Sequence, residues 1–139
     1  MEASSGPAAV PGSFKVIAWL GMVWNTIGAG LYLWSKLDPA AAAAGASPAM
    51  QEYMAQMPLY AHIGWSLGIW GSFLGSVLML MRRGHAVAAF LVSLLGALVS
   101  FGAQARAGVL EVPLTVFIVA VIAALLWYSR RSAASGILG

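Results

Sequence analysis

Long apolar runs separated by short polar knots make up most of this chain, and four of the runs are long enough to matter. A bilayer core about 30 Å thick is crossed by about 20 apolar residues of helix. The stretches 16–35, 61–81, 86–105 and 112–129 meet that requirement. The last is the shortest, but Pro113 suits a first helical turn, and Glu111 stands where a helix N-terminus favours negative charge. The pattern predicts an all-α membrane protein: a four-transmembrane-helix up-down bundle in a single domain over 15–131. Residues 1–14 read as a flexible N-terminal tail and 132–139 as a C-terminal tail. The tail MEASSGPAAVPGSF has no basic segment ahead of a short apolar core, so it does not read as a cleavable signal peptide.

One connection, 36–60, is more than a link. It begins DPAAAAAGASP, a low-complexity stretch that reads as mobile. Ser47 can then cap a helix with Pro48 at its first position. Met50, Tyr53, Met54 and Met57 follow at helical spacing before Pro58 ends it. A short amphipathic helix over 48–57, lying on the outer face or capping the bundle, is the reading. The sharper alternative is a copper(I) site of methionine thioethers with His62. Methionines on such a stripe are far more often packing, and no metal site is expected.

Composition fixes the solvent. The chain has 139 residues, 61% hydrophobic and 8% charged, against roughly 25% charged in an ordinary soluble domain. Eleven charged side chains cannot cover a water-soluble protein of this size, and the mean hydropathy of +0.87 agrees. The lipid bilayer is therefore the first partner. Cysteine is absent, which removes disulfides, thiolate nucleophiles and cysteine-held metals. The net charge of +3 is not a nucleic-acid signal, because the basic residues sit singly or in pairs at the ends of apolar runs, with no aromatic-interleaved stripe. Those residues orient the chain instead. With both termini cytoplasmic, Lys15, Arg82, Arg83, Arg130 and Arg131 lie inside, whereas Lys36 and Arg106 lie outside. The compartment expected is a bacterial inner membrane.

Lipid offers helices no hydrophobic reason to associate, so small residues and interhelical hydrogen bonds must hold them. Gly64, Gly68, Gly71 and Gly75 trace one stripe on the second span, flanked by Ser72 and Ser76. Ala89, Ser93, Gly96, Ser100, Ala103 and Ala107 trace a matching stripe on the third. A two-residue Gly84–His85 connection would make these spans antiparallel neighbours. Gly64, Gly68, Gly71, Gly75, Ser93, Gly96 and Ser100 are thus the expected helix-packing residues.

Polar chemistry is sparse. Asn25 sits mid-span on a face with Gly21, Gly28 and Tyr32. An unpartnered amide in hydrocarbon costs several kcal/mol, so Asn25 must face the bundle, either as an interhelical hydrogen bond or as one wall of a polar site. His62, Gln104 and Arg106 fall at the same outer level as Tyr32. An outward-opening vestibule with Asn25, Tyr32, His62, Trp65, Gln104 and Arg106 as binding residues is geometrically allowed. The mid-membrane zone holds no Asp, Glu, Lys or Arg, which leaves no proton relay. With the two histidines on opposite sides and no Ser-His-Asp set or phosphate loop, no catalytic residues, no cofactor and no enzymatic activity are expected.

Trp24-Asn25-x-x-Gly28 with Tyr32, then Tyr53 and Pro58, then Gly71, Gly75, Leu78, Leu80 and Arg82-Arg83, form a further pattern. Phe90, Ser93 and Leu94 continue it, and Trp127-Tyr128-Ser129-Arg130 ends it. In these residues the chain resembles a family of small bacterial four-helix membrane proteins commonly labelled sugar transporters. The resemblance implies transport of a small polar solute, although Gln56-Met57-Pro58 is not the Pro-Gln signature of the SWEET sugar carriers. The residues themselves favour a non-enzymatic bundle acting as a homo-oligomer or as an accessory subunit of a larger membrane complex. The alternative is a transporter-like protein for a solute such as a sugar, with its site around Asn25.

Overall fold

A computed structural model describes residues 10–139. Among them are six helices and no strand: α1 (Gly12–Leu37), α2 (Pro39–Ala43), α3 (Pro48–Ala55), α4 (Leu59–Leu80), α5 (Ala86–Ala107) and α6 (Val112–Ala134). Residues 1–9, most of the expected tail, lie outside the described residues. Helices α1, α4, α5 and α6 are long and apolar enough to cross a membrane. Each of α1 and α6 runs beyond the apolar stretch that announced it, because nothing at either end forbids helix: α1 begins right after Pro11, and α6 carries Arg130, Arg131, Ser132 and two alanines past the bilayer-length run.

The long connection has more structure than its composition suggested. The alanine run forms α2, because Asp38 accepts a hydrogen bond from the Ala41 N–H at 3.2 Å and Pro39 occupies the first turn. Ser47 caps α3 in the same manner, accepting from the Met50 N–H at 3.2 Å. Helix α3 closes at Ala55, so Met57 lies beyond it. Met50, Met54 and Met57 pack against Tyr53, Ala61 and Ala103, which seats α3 on α4 and α5.

Burial is arranged inside out relative to a soluble bundle. The buried face of α1 is Phe14, Ala18, Gly21, Asn25 and Ala29, while Trp19, Leu20, Val23, Ile27 and Leu31 are exposed. Helix α4 buries three glycines and two serines, and exposes Ile63, Leu67 and Leu74. In water so much contiguous apolar surface would aggregate; facing lipid tails it is at no disadvantage.

The tightest contact is α4 on α5. Going down the seam, Gly64 faces the stretch from Gly96 to Ser100, Gly68 faces Ala97, Gly71 faces Ser93 and Ala89, and Gly75 faces the Phe90 ring. That descending ladder makes the two helices antiparallel. The Ser93 hydroxyl donates to the Gly68 carbonyl at 2.6 Å, and Ser100 is buried beside Gly64. The turn between them is longer than the two residues its glycine suggested. Helix α4 ends at Leu80, and Arg82 takes a left-handed conformation with φ 58°. The Arg83 N–H then reaches back to the Leu78 carbonyl at 2.8 Å, closing the helix before Gly84.

The last residues dock on that turn. The Gly84 N–H donates to the Gly139 carbonyl at 2.7 Å, and the Gly139 N–H donates to the Arg82 carbonyl at 2.8 Å. Arg82 Nε donates to the Ile137 carbonyl at 3.1 Å. Gly136, at φ 85°, makes the reversal that brings this about. Leu138 is thereby inserted among Phe14, Met79 and Phe90, and is 4% exposed. Leu138→Ala should destabilise the protein by about 2–3 kcal/mol, the low end for truncating a buried leucine at a site that can partly collapse. The thermal midpoint in mild detergent, followed by tryptophan fluorescence, reads this directly. An unchanged midpoint would mean the tail is not docked in solution.

Candidate functional site

The polar side chains gather in three places. The first is the centre of the bundle, where α1 meets α4. Asn25 Nδ2 donates to the Ser72 carbonyl at 3.1 Å and to Ser76 Oγ at 2.7 Å, and Ser72 Oγ donates to Asn25 Oδ1 at 2.8 Å. A carbonyl oxygen can only accept, so the Ser72 contact fixes which end of the amide is nitrogen. Both amide hydrogens are used and the oxygen is engaged. All three side chains are buried, Asn25 to 5% exposure. The Asn25 amide is thus saturated within the chain, with neither N–H left to offer a solute.

The second place is where α1 ends beside the start of α4. The Tyr32 ring meets Trp65 edge-on at 4.8 Å between centroids, and Trp70 at 5.8 Å. Lys36 Nζ stands 5.3 Å from the centre of the Tyr32 ring and 5.0 Å from that of Trp65. It also lies 3.4 Å from His62 Nδ1, and an unprotonated imidazole nitrogen there can accept from it. Cation–π contacts at an exposed site contribute about 0.5–1 kcal/mol, so this cluster helps hold the helix ends together.

The third place is a cavity of about 410 Å³ between α3 and the C-terminal end of α5, within the usual range for a ligand pocket, about 300–1,000 Å³. Glu52, Tyr53, Gln56, Tyr60 and Arg106 supply its polar lining. The side chains of Glu52 and Arg106 make no hydrogen bond or ion pair among the described residues. The Tyr53 hydroxyl is buried and has no hydrogen-bond partner among the described residues. Burial, with the neighbouring Tyr60 adding to it, pushes the Tyr53 phenol above its ordinary range. It therefore remains a donor at neutral pH.

The six residues expected to line one vestibule are thus distributed. Tyr32, His62 and Trp65 share the aromatic cluster, Asn25 lies two helical turns deeper on α1, and Arg106 lines the α3 cavity without them. Gln104 is half-buried on α5 and does not line that cavity. Sequence reasoning missed Glu52, Tyr53 and Tyr60 as lining of this cavity, because their grouping depends on how α3 folds back. It also missed Ser72 and Ser76 as partners of Asn25, although two serines one turn apart on a glycine-rich span were the available signal.

Compared with known proteins, the chain matches no family model, no curated protein and no solved structure.

Proposed function

We propose that this chain is a small non-enzymatic integral protein of a bacterial-type inner membrane, an up-down bundle with both termini cytoplasmic, serving as a homo-oligomer or as an accessory subunit of a larger membrane complex. The observation that carries the reading is the inverted burial: serines, glycines and the one mid-span amide are inside, and large apolar side chains are outside. The antiparallel contacts of α4 with α1 and α5 support alternating spans, and the basic excess at one end supports the orientation. Helices α4 and α5 consume their glycine faces on each other. Assembly with another chain therefore involves the outward faces of α1 and α6, and α6 is the least buried of the four long helices. The short α3, with its methionines turned to the bundle and Gln51 outward, caps the outer end.

A second reading, solute transport, draws support from the unpaired Glu52 and Arg106 in the α3 cavity and from the resemblance to the family labelled sugar transporters. In that reading the entry site is the α3 cavity, since both Asn25 N–H groups are already donated within the chain.

Reporter fusions test the topology. A fluorescent protein that matures only in the cytoplasm should light up at either end of the chain, and a periplasmic phosphatase inserted at Gly45 should be active. The opposite pattern would overturn the orientation. Purification in mild detergent should then give a stoichiometric partner or a multiple of the 14.5 kDa chain mass. A lone monomer across lipid conditions would leave only the second reading.

A further inference from the structure

Two hollows share Tyr60 in their linings. The polar one is the α3 cavity. The other, of about 360 Å³, runs from Tyr60 along the α4–α5 seam, between Ile63, Gly64 and Leu67 on one side and Val92, Leu95 and Gly96 on the other. It is apolar throughout apart from Tyr60, and Gly64 and Gly96, whose main chains meet where the two helices touch, lie in its lining. From Tyr60 to Leu67 the groove descends about 10 Å at 1.5 Å per residue, which carries it from the helix ends toward the middle of the bilayer.

The polar end presents opposite charges, Glu52 and Arg106, that are not paired with each other. A guanidinium is a planar fork matched to phosphate, and a carboxylate across the same cavity matches an ammonium. The Tyr53 hydroxyl is buried beside them with no hydrogen-bond partner among the described residues. A polar cavity carrying one cation and one anion, beside an apolar groove that shares Tyr60 with it, matches the two halves of an amphiphile.

We infer that the cavity and the groove form one binding site for a phospholipid with a phosphate-and-ammonium head. Its phosphate lies on Arg106, its ammonium faces Glu52, and one acyl chain occupies the groove past Gly64 and Gly96. The inference rests on the membrane placement proposed above. The reporter fusions test that placement independently, so a failed lipid experiment leaves the topology standing.

The test is native mass spectrometry of the full chain, stripped of lipid in mild detergent and titrated with defined lipids. Phosphatidylethanolamine should bind at least tenfold more tightly than phosphatidylglycerol. Arg106→Gln should weaken it at least tenfold, with partial recovery in Arg106→Lys. Glu52→Gln should remove the preference over phosphatidylglycerol while sparing binding itself. Val92→Phe, which fills the groove from an exposed position, should also weaken binding at least tenfold. Thermal midpoints identify any variant that fails by unfolding. Equal affinity for the two lipids, or no effect of Arg106→Gln in a folded protein, overturns the site. Water-soluble glycerophosphoethanolamine binding as tightly as the lipid would show a head-only solute site and overturn the acyl groove.

Discussion

Gly96→Leu is expected to abolish the α4–α5 interface, and even Gly96→Ala should lower stability by about 1–3 kcal/mol. A methyl group at Gly96 would lie 2.7 Å from the Gly64 carbonyl oxygen, 2.8 Å from Leu67 Cβ and 2.9 Å from the Gly68 nitrogen. These are main-chain atoms and a first side-chain carbon, so no rotamer change relieves the overlap. The helices must separate, and separation weakens contacts along the whole ladder, including the Ser93 hydrogen bond to the Gly68 carbonyl. Overpacking a rigid site costs about 1–3 kcal/mol, and the better helix propensity of alanine offsets at most about 1. Leucine adds three more heavy atoms to a site that cannot hold one. The control is on the same helix: a methyl at Gly102 meets nothing within 4 Å. Gly102→Ala should therefore be neutral or stabilising by up to about 1 kcal/mol. Equilibrium unfolding in mixed detergent, read by tryptophan fluorescence, separates the two substitutions. Equal stability of Gly96→Ala and Gly102→Ala would mean that the helices are not in close contact.

The same ladder explains which parts of the molecule were legible beforehand. Apolar run length alone located α1, α4, α5 and α6, because a bilayer imposes one length on every span. Small-residue periodicity pointed to Gly64, Gly68, Gly71 and Gly75, since in lipid only small side chains allow two backbones to approach. Cap chemistry at Ser47 and Pro48 marked the start of α3 for a local reason, which needs no tertiary information. The alanine run before it misled, because low complexity suggests a linker, whereas alanine after a capping Asp38 and Pro39 favours helix. The docked tail was unreadable: Leu138 is an ordinary leucine until Gly136 turns the chain and the Arg82 carbonyl receives it. Position along the membrane normal could be estimated for Tyr32, His62, Trp65 and Arg106. Their azimuth around the bundle could not, and azimuth decides that Arg106 joins Tyr53 and Tyr60 rather than Tyr32. The polar cavity is consequently a property of tertiary packing that no single helix announces.

Asn25→Ala should cost about 2–3 kcal/mol and leave the occupancy of the α3 cavity unchanged. The substitution removes three hydrogen bonds and opens a small void at mid-span. Interhelical hydrogen bonds in membranes average about 0.6 kcal/mol, with a maximum near 1.7, so the bonds alone account for roughly 2. The residual serines limit the damage, because a serine in a helix can turn its hydroxyl back to a carbonyl one turn earlier. Asn25→Asp should be worse than Asn25→Ala. A carboxylate would keep the bond from Ser72 Oγ but set an oxygen against the Ser72 carbonyl that now receives an N–H, and it would carry charge into the least polar part of the bilayer. A double-mutant cycle with Ser76→Ala isolates the 2.7 Å bond. Its coupling energy should be about 0.5–1.5 kcal/mol, in the range for directly contacting residues. Zero coupling, or a folded and stable Asn25→Ala that has lost ligand at the cavity, would remove Asn25 from the scaffold and return it to the binding site. With coupling present and ligand retained, the mid-span amide acts as the pin that sets the register of α1 on α4, which in turn holds Tyr32 and Lys36, two and three turns above it, beside Trp65 and His62.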